Sequence, residues 1–259
     1  MLMEYILICF AALAASGLTL FSGFGLGTLL LPAFAIFFPV QAAVAMTAVV
    51  HLANNVFKLG LIGKKANLRA VMAFGLPALL TSFAGAMLLI RLADMPPITT
   101  YTMLDREFSV YPIKLVIGLL MALFALLELM TSMKKLSIDP RYLPLGGLLS
   151  GFFGGLSGHQ GAFRSAFLIK SGLSKEAFVG TGVAIAVMVD VSRITAYSGL
   201  LWSPEVRENL NLIIIATLAA FAGAVLGRMM LKKITLRSVQ IIVGSLLFFI
   251  AAGLVSGVL

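Results

Sequence analysis

Ser22-Gly23-Phe24-Gly25-Leu26-Gly27 interrupts an apolar run from about Ile6 to Phe38, and Ser157-Gly158-His159-Gln160-Gly161 interrupts a second from about Leu143 to Ile169. The two Ser-Gly pairs stand 135 positions apart. A backbone break of this kind is tolerated at membrane depth only where it is buried in protein or lines a cavity. Paired interruptions at corresponding places in two halves mark the binding site of a secondary transporter.

The surroundings of the two breaks set the class. Of the 259 residues, 61% are hydrophobic and 11% charged, and the mean hydropathy is +1.08. A soluble domain carries about 25% charged residues, so the solvent for this chain is lipid. The lone Cys9 excludes an internal disulfide. The formal net charge of +9 sits in short loops between apolar runs, which is the pattern of membrane topology, and no nucleic-acid partner is expected. Ala11–Ala15 resembles a signal cleavage region. The residues before it carry Glu4 and no Lys or Arg, the wrong charge for a leader, so a retained helix is expected.

Apolar stretches run over about 4–38, 41–62, 70–91, 110–133, 142–170, 174–199, 210–231 and 236–258. Six are near the ~20 residues that span a bilayer. The two with glycine breaks are longer, and the positive-inside rule decides how they run. If each crosses once, the cations divide almost evenly between the two faces. If each is a helical hairpin, Lys64, Lys65, Arg69, Lys134, Lys135, Arg141, Lys170, Lys175, Arg228, Lys232, Lys233 and Arg237 share one face. Only Arg91, Arg106, Lys114 and Arg207 then lie opposite, with the acids Glu4, Asp94, Asp105, Glu107, Glu205 and Glu208. The hairpin reading is preferred, and its parity is the same whether the hairpins span or stop midway. The expectation is an all-α polytopic membrane protein with both termini outside. Residues 1–133 form the first repeat (hairpin 4–38 and three helices), and residues 141–259 the second (hairpin 142–170 and three helices). Three crossings per half make the second repeat inverted in topology.

Gly17, Gly23-Phe24-Gly25-Leu26-Gly27 and Pro32, with a second copy from Gly151 through Gly158-His159-Gln160-Gly161, resemble the Gly-rich motif of the TauE/SafE family of sulfite and organosulfonate exporters. The likeness covers nearly the whole chain. Leu26 interrupts the run of consecutive glycines usual in that family. The second copy lacks the following proline and carries His159, Gln160 and Arg164 instead. The resemblance implies an inner-membrane exporter of sulfite, sulfoacetate or a related small anion.

The residues themselves point to an anion site. A helix that starts at a glycine turn presents unpaired N–H groups and the positive end of its dipole, which suffices to bind an anion. The backbone of Gly23, Gly25, Gly27, Gly158 and Gly161 would serve this purpose, with Ser22 and Ser157 as N-caps or ligand hydroxyls. The bland reading of such glycines is close helix packing, which is assigned to Ala219, Gly223 and Gly227. Thr47, His51, Asn54, Asn55 and Lys58 fall within about 100° of arc on one helix. In lipid such a face must meet protein or water. His51 is either a satisfied core histidine or an anion donor and proton carrier. Lys58 is either a gate or a snorkelling anchor.

With the 135-residue offset, Asn55 aligns with Asp190 and Lys58 with Arg193. Asp190 and Arg193 are either a structural i, i+3 pair or a proton carrier beside an anion ligand. Arg164, six residues past Gly158, offers a planar donor fork at a depth where charge is costly. The alternative is a buried pair with Asp190 or with a helix C-terminus. His159 and Gln160 sit in the turn, within reach of whatever the helix N-terminus binds. Tyr197 and Trp202 read as interfacial anchors.

No P-loop is present, the histidines lack metal-ligand spacing, and no enzyme, cofactor or metal is expected. The predicted activity is ion- or potential-driven export of a small anion by alternating access. A membrane-embedded sensor or scaffold without transport, or an importer of the same anions, is the alternative, and a homodimer is compatible with either.

Overall fold

The computed structural model describes residues 2–22, 25–130, 138–230 and 236–259. Gly23 and Phe24 of the first glycine motif lie outside them, as does the side chain of Ser22. So do Lys134, Lys135, Lys232 and Lys233 of the charge count.

Among the described residues the apolar stretches are mostly helical. The first long run divides into α1 (Leu2–Ser22) and α2 (Gly27–Ala35). Pro39 precedes α3 (Val40–Ile62). The Asn67 side chain caps α4 (Leu68–Ala93) by accepting the Ala70 N–H at 2.9 Å. After α5 (Pro112–Met130), the second long run divides into α6 (Leu143–Ser157) and α7 (Gly161–Leu168). Ser174 caps α8 (Lys175–Ala196) through the Ala177 N–H at 3.2 Å. Two single-turn helices, α9 (Ser198–Leu201) and α10 (Pro204–Arg207), lead into α11 (Leu210–Met230) and α12 (Leu236–Ser256). Among the described residues five helices are long and apolar enough to cross a membrane, and shorter apolar segments lie in α5 and α12. The protein is an all-α, multi-pass membrane protein.

The glycine breaks turn the chain back. α2 and α7 have nine and eight residues, about 13 and 12 Å at 1.5 Å per residue. Neither could span a hydrocarbon core of about 30 Å. Each hairpin is therefore a long arm followed by a short one. Arg164 lies three residues into α7, about 4.5 Å from the helix start, shallower than its distance from Gly158 suggested.

One element has no counterpart in the sequence reading. Between α4 and α5, β1 (Thr99–Met103) and β2 (Arg106–Val110) form an antiparallel hairpin. Its two-residue turn places Leu104 and Asp105 at φ 52° and 59°, the type I′ conformation that matches strand twist. Tyr101 stacks on Phe108 across the strands and donates its hydroxyl to the Ser256 carbonyl at 2.5 Å. The hairpin is thus fastened to the end of α12.

The main helix pairings join the first half to the second. α4 packs along α6, α1 along α11, α5 along α12 and α3 along α8. Lipid is as apolar as leucine, so these contacts depend on close fit and not on water exclusion. On α6, a Cβ at Gly147, Gly151 or Gly155 would overlap the carbonyl oxygen of Phe74, Ala78 or Ser82 of α4. On α11, Gly223 and Gly227 lie against Leu13 and Gly17 of α1, as the small-residue reading expected.

α3 and α8 run antiparallel. The Asn67 N–H just past α3 donates to Thr181 Oγ1 near the start of α8 at 2.8 Å, while His51 at the middle of α3 meets Asp190 in the second half of α8. Phe34, Leu30, Leu31 and Met46 fill the core between the first short arm and α3. Tyr197 is fully buried and donates its hydroxyl to the Gly155 carbonyl. This corrects its reading as an interfacial anchor: at the end of α8 it points inward, onto α6. Trp202 is 74% exposed.

Candidate functional site

The two glycine turns meet. A Cβ built on Gly27, the first residue of α2, would lie 3.2 Å from the Gly158 carbonyl oxygen. One built on Gly25 would lie 3.9 Å from the Gly161 amide nitrogen and 3.8 Å from His51 Nε2. The two short arms thus begin side by side, closely enough at Gly27 that a Cβ there would be tight against the Gly158 carbonyl. Gly158 adopts φ 78°, the left-handed conformation that ends α6. Gln160 N–H turns back to the Gly158 carbonyl at 3.1 Å. The Arg164 N–H then closes the first turn of α7 on the Gln160 carbonyl, also at 3.1 Å. The N–H groups of Gly161, Ala162 and Phe163 have no preceding turn to bond.

The polar face of α3 packs against these turns. Thr47, His51, Asn54, Asn55 and Lys58 are all buried, at 0–7% exposure. His51 Nδ1 lies 2.6 Å from Asp190 Oδ2 and donates to it, and Asn55 Nδ2 donates to the same oxygen at 3.1 Å. The residues paired by the 135-residue offset, Asn55 and Asp190, are therefore in direct contact. Arg193 Nε donates to Asp190 Oδ1 at 3.0 Å. Its Nη2 lies 2.9 Å from that oxygen but off the line of its own N–H bonds, and has no hydrogen-bond partner. Arg193 Nη1 sits 2.9 Å from where a Cβ of Gly158 would be. Gln160 joins two charges: its Nε2 faces Asp190 Oδ1 at 3.4 Å, and its Oε1 accepts from Arg164 Nη1 at 3.3 Å.

Lys58 and Arg164 differ from Arg193. Lys58 Nζ donates to the Ser16 carbonyl at 3.1 Å and to Thr19 Oγ1 at 2.9 Å. The Asn54 amide, turned to satisfy its neighbours, adds its oxygen to Lys58 at 3.0 Å and donates to Ser16 Oγ and the Ala220 carbonyl. These acceptors are all neutral. Arg164 lies against Gly182 of α8, its Nε 3.3 Å from that residue's Cβ position, and bonds the neutral Gln160 amide. Among the described residues the buried charged groups are Lys58, Arg164, Asp190 and Arg193. With His51 neutral and Lys58 protonated, the buried positive charges exceed the negative by two, and an unpaired buried charge is costly.

Two turn residues take other positions. Ser157 ends α6, and its hydroxyl donates back to the Phe153 carbonyl at 3.0 Å. It does not cap α7, whose N-cap position is held by Gln160. The His159 ring stacks on Phe124, with centroids 5.1 Å apart, in an aromatic group with Phe153 and Phe163. Its Nδ1 lies 3.1 Å from the Ser157 carbonyl, while Nε2 is buried without a partner. Ser16, Thr19 and Gly182 escaped the sequence reading. The first two lie three residues apart just before the glycine break, and that spacing was the available signal.

Residues 8–254 match the family model described as sulfite exporter TauE/SafE. The chain belongs to the TauE/SafE family. It is thus a multi-pass member of a transporter family and not of an enzyme family. No curated protein and no solved structure matches it.

Proposed function

We propose that this TauE/SafE chain exports a small sulfur-containing anion, such as sulfite, sulfoacetate or a related sulfonate, across a bacterial inner membrane by alternating access. The anion would rest where α2 and α7 begin, held by the first-turn N–H groups of α7, by the Gly27 N–H of α2 (Thr28 and Leu29 already donate to Gly25 and Leu26), by Arg164 and by Lys58. His51 and Asp190 would carry a coupling proton, and Arg193, Asn55 and Gln160 would hold that pair in place. The observation that carries this reading is the pair of buried cations, Arg164 in the first turns of α7 and Lys58 against the last turns of α1, whose bonds go to neutral acceptors. A buried charge without a counter-ion is retained where a counter-ion arrives as ligand.

The halves 1–133 and 141–259 would be inverted repeats, with both termini outside and the twelve-cation face in the cytoplasm. Supporting this are the reciprocal pairings of α1 with α11 and α6 with α4, and the antiparallel crossing of α3 and α8 at Asn55 and Asp190. Exchange of labelled sulfite or sulfoacetate in proteoliposomes tests the function. Wild type should show saturable counterflow that Arg164→Ala abolishes. A sensor or scaffold would show no counterflow at all.

A further inference from the structure

Asp190 is fully buried and collects donors from three parts of the chain. His51 and Asn55 of α3 serve Oδ2 at 2.6 and 3.1 Å. Arg193 of α8 serves Oδ1 at 3.0 Å, and Gln160 of the α6–α7 turn faces it at 3.4 Å. This is the donor set of an oxyanion site, filled by the protein's own carboxylate. The amide of Gln160 alone separates that carboxylate from Arg164, so an anion held by Arg164 lies one side chain away from a fixed negative charge.

Resting on the transport reading above, we propose that Asp190 is an internal counter-anion: substrate binding draws a proton onto the His51–Asp190 pair, and anion and proton travel in the same direction. Two unit charges about 8 Å apart at an effective dielectric of about 20 oppose each other by a factor of about thirty in binding. Protonating the pair removes that penalty. By linkage the anion then strengthens proton binding by the same factor.

The proton comes from the solvent of whichever side the site faces and leaves with the anion. It belongs to the pair as a unit. His51 Nδ1 already donates to Asp190, so the added proton would go to Nε2, which lies 3.5 Å from the Asn55 amide nitrogen and beside Gly25, just before the first short arm. An N–H formed there adds a donor beside the Gly25 backbone. The titratable and charged groups around the carboxylate are His51 and Lys58 on α3, His159 in the turn, Arg164 on α7, Arg193 on α8 and Tyr197 just past it. Lys58 is the other group whose protonation would follow the anion. A proton bound with the anion opposes export against an inward proton gradient, so outward flow would be driven by the anion's own gradient.

Isothermal titration calorimetry tests this on the purified full chain, with methanesulfonate and sulfoacetate as probes whose charges do not change near pH 7.5. Titration in two buffers of different ionisation heat counts protons. The expected result is uptake of a fraction of a proton per anion bound, at most about 0.7 for a thirty-fold coupling. Asp190→Asn should bind without proton uptake and about thirty-fold more tightly. Lys58→Met should bind more weakly and still take up the proton. Binding with no proton change or with proton release in wild type overturns the proposal, as does loss of uptake in Lys58→Met alone. The wild-type proton count decides the matter if Asp190→Asn fails to fold. Absence of binding by either probe, together with absence of counterflow, overturns the transport reading itself.

Discussion

Lys58 and Arg193 occupy corresponding places on α3 and α8, 135 residues apart, yet they are satisfied in opposite ways. Arg193 is ion-paired to Asp190 and packed against the Gly158 backbone. Lys58 rests on a carbonyl, a hydroxyl and an amide oxygen. Arg164, on the short arm between them, has the same neutral surroundings as Lys58. One end of the polar cluster is thus closed by its own carboxylate, while the cations at the other meet only neutral acceptors. Matching positions need not do matching work: on the proposed reading one cation maintains the framework and the other meets the anion.

Truncation at the closed end is the most severe way to break this contrast. Arg193→Ala leaves Asp190 buried without its guanidinium and should cost about 3–5 kcal/mol of stability, read as a large fall in the thermal midpoint in detergent. Pairing it with Asp190→Asn should recover part of that loss. If Arg193→Ala instead leaves stability intact and abolishes anion binding alone, the two ends have been assigned the wrong way round.

At the open end the expected losses are in binding. Arg164→Ala removes charge-assisted bonds of about 1.5–3 kcal/mol each, so anion affinity should fall roughly tenfold to more than a hundredfold. The thermal midpoint without ligand should hold, because no acid is left unpaired. Arg164→Lys should restore only part of the affinity, since an ammonium lacks the planar fork. Lys58→Met should weaken binding about tenfold and leave the ligand-free protein as stable or more so, because it replaces a buried charge with an apolar chain of similar length. The smallest effect is expected away from both ends. Tyr197→Phe removes one donor from the Gly155 carbonyl and should cost about 1 kcal/mol of stability with no change in anion affinity.

Much of the architecture was legible because lipid leaves few choices. Every apolar stretch became a helix or a helix pair, and the glycine breaks fell where the chain reverses. The α3 polar stripe was readable from its period, and the Asn55–Asp190 match from the offset. What escaped has physical reasons. β1 and β2 sit outside the apolar pattern, in a loop whose Thr, Tyr, Phe and Val residues carry β propensity but no membrane signal. Gly151 was read as part of the glycine motif and Gly147 and Gly155 were not singled out, although four-residue spacing of small residues is a packing signal, and α4 lies against all three. Tyr197 and His159 depended on which way a side chain turns. A tyrosine near a helix end suits either the interface or the core, and its partner, the Gly155 carbonyl, is not visible in any pattern. The contrast between Lys58 and Arg193 was likewise hidden, because it rests on which acceptors surround each cation.

The most direct test locates the anion. Anomalous diffraction from crystals grown with selenite, a heavy relative of sulfite, should show one strong peak within hydrogen-bonding distance of Arg164, beside the first turns of α2 and α7, with Asp190 still joined to Arg193 or protonated beside it. A peak bound to Arg193 with Arg164 unoccupied, or selenium found only at the protein surface, would contradict the account.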